Sequence, residues 1–203
     1  MQAQTRSADD QAIRARLFEG MSAAIVEKGY AATTIADIAR HARVSKRTIY
    51  EHFEDKEACF LALYAAASEE VIRLVFRAAT PDLGWEAQIE IATHEYLSAL
   101  QSQPELARTF LLEIQAAGPR AVRMRREIHR EFAQMIMALV ERGRAEAPEV
   151  APLSLEMATA IVGGINELVL LALEEGRARR LLELRDTATE YVRKLLLPPR
   201  RRR

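Results

Sequence analysis

The sequence predicts an all-α protein of about nine helices, three short ones followed by six longer ones. Apolar residues recur at helical spacing along almost the whole chain of 203 residues. No stretch shows the period-two alternation of a half-buried strand. Glycine and proline breaks divide the chain into segments of helical length, and no longer repeat typical of a solenoid is present.

The first four helices are predicted from the residues that cap them. Gly29 is expected to end the first helix in a left-handed conformation, which glycine adopts without steric cost. The fourth helix is expected to run towards Ala79 and to stop at a turn over residues 80–84. The residues expected to begin these helices carry oxygens that accept hydrogen bonds from free backbone amides: Asp9 or Asp10, Thr33 with Thr34, Ser45, and Asp55.

Later breaks at proline and glycine predict five further helices. Their expected ranges are residues 85–102, 104–116, 120–142, 154–175 and 178–196.

Composition excludes several classes of protein. With 49% apolar residues and 29 basic against 29 acidic residues, the chain is neither disordered nor collagen-like. Cys59 is the single cysteine, so a disulfide scaffold is excluded. The N-terminus has no apolar signal-peptide region, and the apolar stretch Ile161 to Leu173 is too short for a membrane span. We therefore expect a soluble cytoplasmic protein.

The net charge of zero hides an uneven distribution. Residues 1–56 carry a net charge of +1, residues 57–199 carry −5, and Arg200–Arg203 add +4. Arg40, Arg43, Lys46 and Arg47 fall in a short stretch without an acidic residue. Local charge, rather than net charge, is therefore the indication of a partner.

Residues 33–53 have the pattern of a helix-turn-helix. Ala39 is small where the two helices cross, Val44 follows the turn, and Ile49 fixes the second helix on the first. The second helix then projects polar side chains outwards. Arg47 suits a bidentate contact with guanine, and Thr48 offers a methyl group to thymine. A solvated face of an ordinary helical hairpin is the alternative.

Residues 13–60 resemble the N-terminal domain of the TetR family of bacterial transcriptional regulators. The residues that carry the resemblance are Leu17-Phe18, Gly29-Tyr30, Thr33-Thr34-Ile35, Ile38-Ala39, Ala42, Val44-Ser45, Ile49-Tyr50, Phe53 and Lys56. The resemblance implies a three-helix DNA-binding head, a helical effector-binding and dimerisation body, and repression relieved by a small molecule. Arg43 stands where the family often has glycine, and Ile25 where an aromatic residue is common.

The predicted domains are a helix-turn-helix domain over residues 1–56, a ligand-binding and dimerisation domain over 57–197, and a disordered arginine-rich tail over 198–203. Arg47 is expected to read a base, and Tyr50, His52 and Lys56 to contact phosphates. The full set of predicted DNA-binding residues is Thr33, Thr34, Arg43, Ser45, Lys46, Arg47, Thr48, Tyr50, His52 and Lys56.

The helix from Ser154 is apolar on nearly every face, so both sides of it need cover. A second copy of the chain is the expected cover, giving a homodimer with a four-helix interface, as the resemblance implies. Burial of both helices inside one monomer is the alternative. The residues expected at the interface are Ile161, Gly164, Ile165, Leu168, Leu171, Tyr191 and Leu195.

An effector pocket is expected among the helices between residues 56 and 142. Methionine and aromatic side chains there would suit an apolar or planar ligand, although each is equally suited to ordinary core. The candidate residues are Trp85, His94, Tyr96, Phe110, Met124, Phe132 and Met135.

No catalytic residue, cofactor or metal site is predicted. The four histidines form no metal-binding motif, and Glu90 with His94 reads as a surface pair. The chain has no glycine-rich phosphate loop and no nucleophile elbow. A helical-bundle enzyme or a helical scaffold without a ligand remains the alternative to a DNA-binding regulator.

Overall fold

The computed structural model describes residues 2–144 and 150–196, and these residues form helices joined by short loops. The arginine tail predicted over residues 198–203 lies outside them. The α-helices of the described ranges are α1 Gln2–Ala32, α2 Ile35–Ala42, α3 Lys46–His52, α4 Lys56–Ala78, α5 Trp85–Ser102, α6 Pro104–Leu111, α7 Pro119–Arg144, α8 Leu155–Glu174 and α9 Arg185–Leu196.

The all-α prediction is confirmed, and most boundaries agree within a few residues. The first helix begins at Gln2, so the start predicted at Asp9 or Asp10 is wrong. Gly29 does interrupt it, with φ 77°. Two predicted helices are only partly α-helical: a 3₁₀ turn over Glu113–Ala116 follows α6, and a 3₁₀ segment over Ala178–Leu184 precedes α9.

The head consists of α1, α2 and α3 packed around one apolar cluster. Leu17 and Met21 of α1 meet Ile38 of α2 and Ile49 of α3 there, and each is buried. Gly20 allows α1 to approach α2 closely, because a Cβ at this position would lie 2.7 Å from the Cβ of Ala42. The head core continues without a break into α4, through Cys59 and its neighbours.

The body is a bundle of the remaining helices. α7 packs on α4 and α8, while α5 packs on α4 and α9. The C-terminal half of the bundle has its own apolar clusters, in which Ile161 of α8 and Val192 of α9 are buried. The N-terminal half of α7 and the apolar side of α6 instead join the head cluster. The two parts therefore share core residues along α4, α6 and α7.

Part of the apolar surface of helix α8 is left exposed by the rest of the chain. Its length and composition would suit a membrane span, with a mean hydropathy of 1.5, but a core helix of a soluble protein has the same features. Only 33% of its most apolar 18-residue window is buried within the protomer. Leu155, Met157 and Leu171 lie exposed on it, and Leu195 is exposed on α9.

Candidate nucleic-acid interface and ligand cavities

The start of α2 is fixed by a capping box. The Thr34 side chain accepts a hydrogen bond from the Asp37 amide, and the Asp37 carboxylate accepts one from the Thr34 amide at 2.9 Å. Lys28 of α1 lies 2.7 Å from the same carboxylate. The hydrogen bonds from Lys28 and Thr34 hold the pKa of Asp37 well below its usual range. The N-terminus of α2 is thus held against α1 by an ion pair as well as by packing.

The turn between α2 and α3 depends on Arg43. This residue has φ 54° and ψ 46°, the left-handed conformation that ends a helix, at a cost of about 1–2 kcal/mol for a side chain other than glycine. Its amide donates to the carbonyl oxygen of Arg40, and the Val44 amide donates to that of Ala39. Arg16 of α1 donates from Nη2 to the carbonyl oxygens of Ala42 and Arg43, at 2.9 and 2.6 Å. The turn is therefore fixed from the α1 side.

Helix α3 presents its polar face to solvent. Ser45 caps it by accepting a hydrogen bond from the Thr48 amide at 3.0 Å, and Ile49 is buried beneath it. Lys46 and Arg47 are exposed, and Tyr50 retains 58% of its surface. The Arg47 side chain is 88% exposed and its Nε lies 2.9 Å from Glu51 Oε1. An exposed pair of this kind contributes little to stability, so Arg47 is available to a partner.

Three of the predicted DNA-binding residues face their own chain instead. Thr33 is 1% exposed and donates from its hydroxyl to the carbonyl oxygen of Gly29 at 2.8 Å. The His52 side chain is 11% exposed and lies 3.2 Å from Asp10. Lys56 donates from Nζ to the carbonyl oxygen of Tyr30 at 3.0 Å and lies over the Tyr30 ring. Thr34, Arg43, Ser45, Lys46, Arg47 and Tyr50 are exposed, and Thr48 is half-buried.

Sequence reasoning missed the side chains that position the turn. Arg16 gives no sign in the sequence of its contact with residues 42–43. Glu27 joins α1 to α2 by accepting hydrogen bonds from Arg40 and His41, each at 2.6 Å. The cluster of basic residues noted in the sequence is thus partly neutralised on the α2 side, and its exposed positive charge is concentrated on α3.

The junction of head and body contains polar and aromatic contacts. Asp55 caps α4 and also accepts a hydrogen bond from Arg120 of α7 at 2.9 Å. The Ala58 amide and Arg120 together keep the pKa of Asp55 below its ordinary value. The Tyr30 ring of the head lies 4.2 Å from Phe60 of α4, and Phe60 lies 5.8 Å from Phe110 of α6, between ring centroids.

The body contains two adjoining cavities. The inner cavity has a volume of about 90 Å³ and is almost wholly apolar, between α4, α5, α7, α8 and α9. The outer cavity has a volume of about 280 Å³ and lies between α4, α5, α6, α7 and α8. Tyr96, Phe132 and Asn166 line both cavities. Tyr64 and Phe110, whose rings are 4.8 Å apart, line the outer cavity and extend the aromatic series from the head.

Three polar side chains are hydrogen-bonded in series where the two linings meet. Tyr96 donates from its hydroxyl to Asn166 Oδ1 at 2.5 Å, and Asn166 Nδ2 lies 3.2 Å from His129 Nε2. The amide nitrogen is a donor, so His129 Nε2 accepts and this ring is neutral. Burial, with a smaller contribution from Arg125, lowers the pKa of His129 to about 4. Burial likewise raises the pKa of Tyr96.

The predicted pocket residues divide into four groups. Trp85 and Met135 line the inner cavity, Phe110 lines the outer one, and Tyr96 with Phe132 line both. His94 lines neither, and Met124 packs against the head core. Among the described residues no three His, Cys, Asp or Glu side chains come together as a metal site would require.

The predicted interface residues are also divided. Ile161 is fully buried in its own protomer, so it cannot contact a partner. A Cβ at Gly164 would lie 2.4 Å from the Tyr191 hydroxyl, so this glycine accommodates α9 of the same chain. Tyr191 donates to the carbonyl oxygen of Ala160 at 3.0 Å. Ile165 and Leu168 are half-buried, while Leu171 and Leu195 are exposed.

An all-α head whose second short helix exposes Lys46, Arg47 and Tyr50 beside a tight, capped turn defines a helix-turn-helix DNA-binding protein. Residues 22–63 match the family model of the bacterial regulatory proteins of the tetR family. The N-terminal part of the chain is therefore similar to the N-terminal region of that family.

Solved structures support the fold over most of the chain. FadR from Bacillus subtilis, solved in complex with stearoyl-CoA, is 18% identical with a TM-score of 0.75, covering 87% of this chain and 96% of that one. FadR from Bacillus halodurans, a fatty acid degradation regulator, is 18% identical with a TM-score of 0.76 and the same coverage. Salmonella enterica GusR is 21% identical with a TM-score of 0.72, covering 91% and 95%. No curated protein sequence matches this chain.

Proposed function

We propose that this protein is a dimeric transcriptional repressor in the bacterial cytoplasm, which binds a near-palindromic operator and releases it when a small molecule enters the body. The observation that carries the proposal is the exposed face of α3 beside the fixed turn. Lys46, Arg47 and Tyr50 project from a helix whose other face is buried through Ile49. Such a helix fits the major groove, where an arginine can read guanine.

The positions of the other side chains refine the contact set. Arg47 reads a base, because it is almost fully exposed and held only by Glu51. Thr34, Arg43, Ser45 and Tyr50 contact phosphates from the two sides of the turn. Thr33, His52 and Lys56 support the head from within, since their polar atoms have partners in the same chain.

The homodimer is supported by the uncovered apolar surface of α8. Leu171 and Met157 are 51% and 42% exposed in the protomer. On α9, Leu195 is exposed although the next residue, Leu196, is buried. Exposed apolar surface on a long helix is unfavourable in water and is typical of an interface. A two-fold dimer would place two heads at a fixed separation on half-sites of the operator.

The effector site is proposed to be the pair of cavities. Their linings are largely apolar, as ligand sites generally are, and the FadR structure with stearoyl-CoA supports an effector with an apolar part. Tyr64 and Phe110 connect the outer cavity to Phe60 and hence to the head. A ligand releases DNA only to the extent that it prefers the head separation that does not fit the operator.

The proposal is tested by gel shifts with the DNA on either side of the protein's own gene. Specific binding that is competed by a palindromic fragment and weakened by Arg47→Ala is expected. Binding with the same affinity for unrelated DNA, or none at low salt, would contradict the proposal. Glu51→Ala is the matched variant, because it removes an acidic group beside Arg47 and should strengthen binding.

A further inference from the structure

The cavities have the electrostatics of a site for an uncharged ligand. Among the described residues no lysine or arginine lines either cavity. Glu70, which lines the outer one, is exposed and paired with Arg73. His129 is neutral near pH 7, because burial and Arg125 lower its pKa to about 4. A carboxylate or phosphate buried here would lose its hydration without contacting a cation of the lining, which is unfavourable.

Two buried polar atoms, both on residues that line the inner cavity, lack partners within the described part of the chain. They are the indole nitrogen Nε1 of Trp85, a donor, and the amide oxygen Oε1 of Gln88, an acceptor. Both residues line the inner cavity, and Gln88 is only 3% exposed. Its own Nε2 donates to the carbonyl oxygen of Leu83 at 2.7 Å, which fixes the amide orientation.

The unpaired donor and acceptor belong to residues on one face of α5. Trp85 and Gln88 are three residues apart in the first turn of α5, so their side chains lie on the same face of the helix. Buried polar atoms are nearly always hydrogen-bonded in folded proteins, and each one left unpaired is unfavourable. One group that both accepts and donates would satisfy the two atoms together, and a hydroxyl group is the smallest that does so.

The other polar side chains of the inner cavity contrast with this pair. Tyr96 and Asn166 already bond to each other, and Asn166 bonds further to His129. Each of these polar atoms has at least one partner within the chain, so the unpaired atoms of this lining are confined to the start of α5. The rest of the lining is apolar, through side chains such as Ile89, Ile136 and Val162.

We propose that the effector is an uncharged alcohol or phenol with an apolar body. Its hydroxyl oxygen accepts from Trp85 Nε1 and its hydroxyl hydrogen is donated to Gln88 Oε1. Its apolar part fills the inner cavity towards Phe132, which also lines the outer cavity. This inference rests on the proposed function insofar as the cavities are taken as the effector site.

Ligand binding has a direct readout, because Trp85 is the only tryptophan in the chain. Purified full-length protein is titrated at pH 8 with 1-octanol and 4-butylphenol, and separately with octanoate and methyl heptyl ether, while the fluorescence of Trp85 is followed. Both alcohols should change the emission. The ether, which accepts but does not donate, should bind about 3- to 10-fold more weakly than octanol, the range expected for one hydrogen bond. Octanoate should bind at least as weakly as the ether.

Gln88→Met tests the hydroxyl contact itself, since it keeps the side-chain length and removes the acceptor. The ratio of ether to octanol dissociation constants should fall towards one in Gln88→Met and stay unchanged in Met135→Leu, a control in the same lining. Because the ratio compares two ligands on one variant, a general loss of stability does not move it. An unchanged ratio in Gln88→Met, equal binding of octanoate, or no response to either alcohol would overturn the inference.

The proposed function is tested separately from the ligand chemistry. Fluorescence reports occupancy of the cavity without DNA, whereas operator release is followed in gel shifts with the same alcohols. Binding of the alcohols without any effect on DNA would leave the ligand assignment intact and contradict the effector role. Operator binding without a fluorescence response to the alcohols would contradict the ligand assignment and leave the DNA-binding function intact.

Discussion

The head and the body differ in how their functional side chains are brought together. In the head, the surface proposed to contact DNA comes from one continuous segment, residues 34–50, whose shape is set by local caps at Thr34 and Ser45. In the body, the cavities are lined from five helices each, and residues as far apart as Val75 and Leu196 line the same one. The head is therefore specified by short-range sequence pattern, and the body by how helices distant in sequence pack.

The largest expected effect comes from a substitution in the body that leaves the head unchanged. Leu171→Glu places a charge on the exposed apolar surface of α8 without disturbing the protomer core, since Leu171 is 51% exposed. We expect a monomer, with operator affinity lower by about 100- to 10,000-fold, because the two heads no longer act together. Mass by light scattering and gel shifts measure the two effects.

The matched control for Leu171→Glu is Val26→Glu, which makes the same kind of change at an exposed apolar residue of α1. It should leave the protein dimeric. A Leu171→Glu protein that remains dimeric would show that α8 is not the interface.

A smaller effect is expected within the head. Arg47→Ala should weaken binding to the operator by about 5- to 150-fold, the value of one bidentate base contact, and relax the preference at one base pair of each half-site. Lys46→Ala is the comparison. Competition with a panel of single-base operator variants distinguishes base reading from phosphate contact, and equal losses on every sequence would assign Arg47 to the phosphates.

The capping box sets the stability of the head. Thr34→Ala removes the acceptor for the Asp37 amide and should lower the free energy of unfolding by about 0.5–2 kcal/mol. Denaturant unfolding followed by circular dichroism measures it. Thr159→Ala, at an exposed threonine of α8, should change the free energy of unfolding by less than about 0.5 kcal/mol. Equal losses in both variants would mean that the cap is not what stabilises α2.

The last prediction concerns pH and the body. The pKa of His129 is lowered in the folded protein to about 4, so between about pH 6.5 and 4 the unfolded chain binds the extra proton. Stability should therefore fall as the pH drops through this range, and stay level above it. His129→Gln keeps an acceptor for Asn166 and should flatten the curve. Melting temperatures from pH 4.5 to 8 for both proteins check this, and parallel curves would contradict it.

The sequence predicts the head better than the body for a physical reason. Caps at Thr34, Ser45 and Asp55 depend on a side-chain oxygen and the next few amides, so their roles follow from local sequence, and the structure confirms all three. The direction in which a side chain points is harder to predict. Thr33 carries a hydroxyl like Thr34, yet its side chain points inwards and donates to the carbonyl oxygen of Gly29. The contact of Arg16 with the turn requires a fold, because 26 residues separate it from Ala42.

In the body, periodicity predicts which face of a helix is buried but not where buried side chains leave space. Trp85 and Met124 therefore look alike in the sequence, although one lines a cavity and the other fills the head core. The sequence could not predict that the amide oxygen of Gln88 lacks a hydrogen-bond donor, since this depends on which side chains surround it in the fold. Gly164 looked like a contact for a partner helix and instead lies against Tyr191 of the same chain.

The contact of Arg120 with Asp55 has a geometric consequence for signalling. Phe132, on the wall between the cavities, lies twelve residues further along α7, or about 18 Å along the helix axis. A tilt of α7 by about 5° around that point would displace Arg120 by about 1.5 Å over such a length. The bond to Asp55 is 2.9 Å long, so a displacement of that size is enough to break it. A tilt too small to disturb the packing around a ligand is thus enough to break a contact at Asp55, the cap of the helix that joins the head to the body.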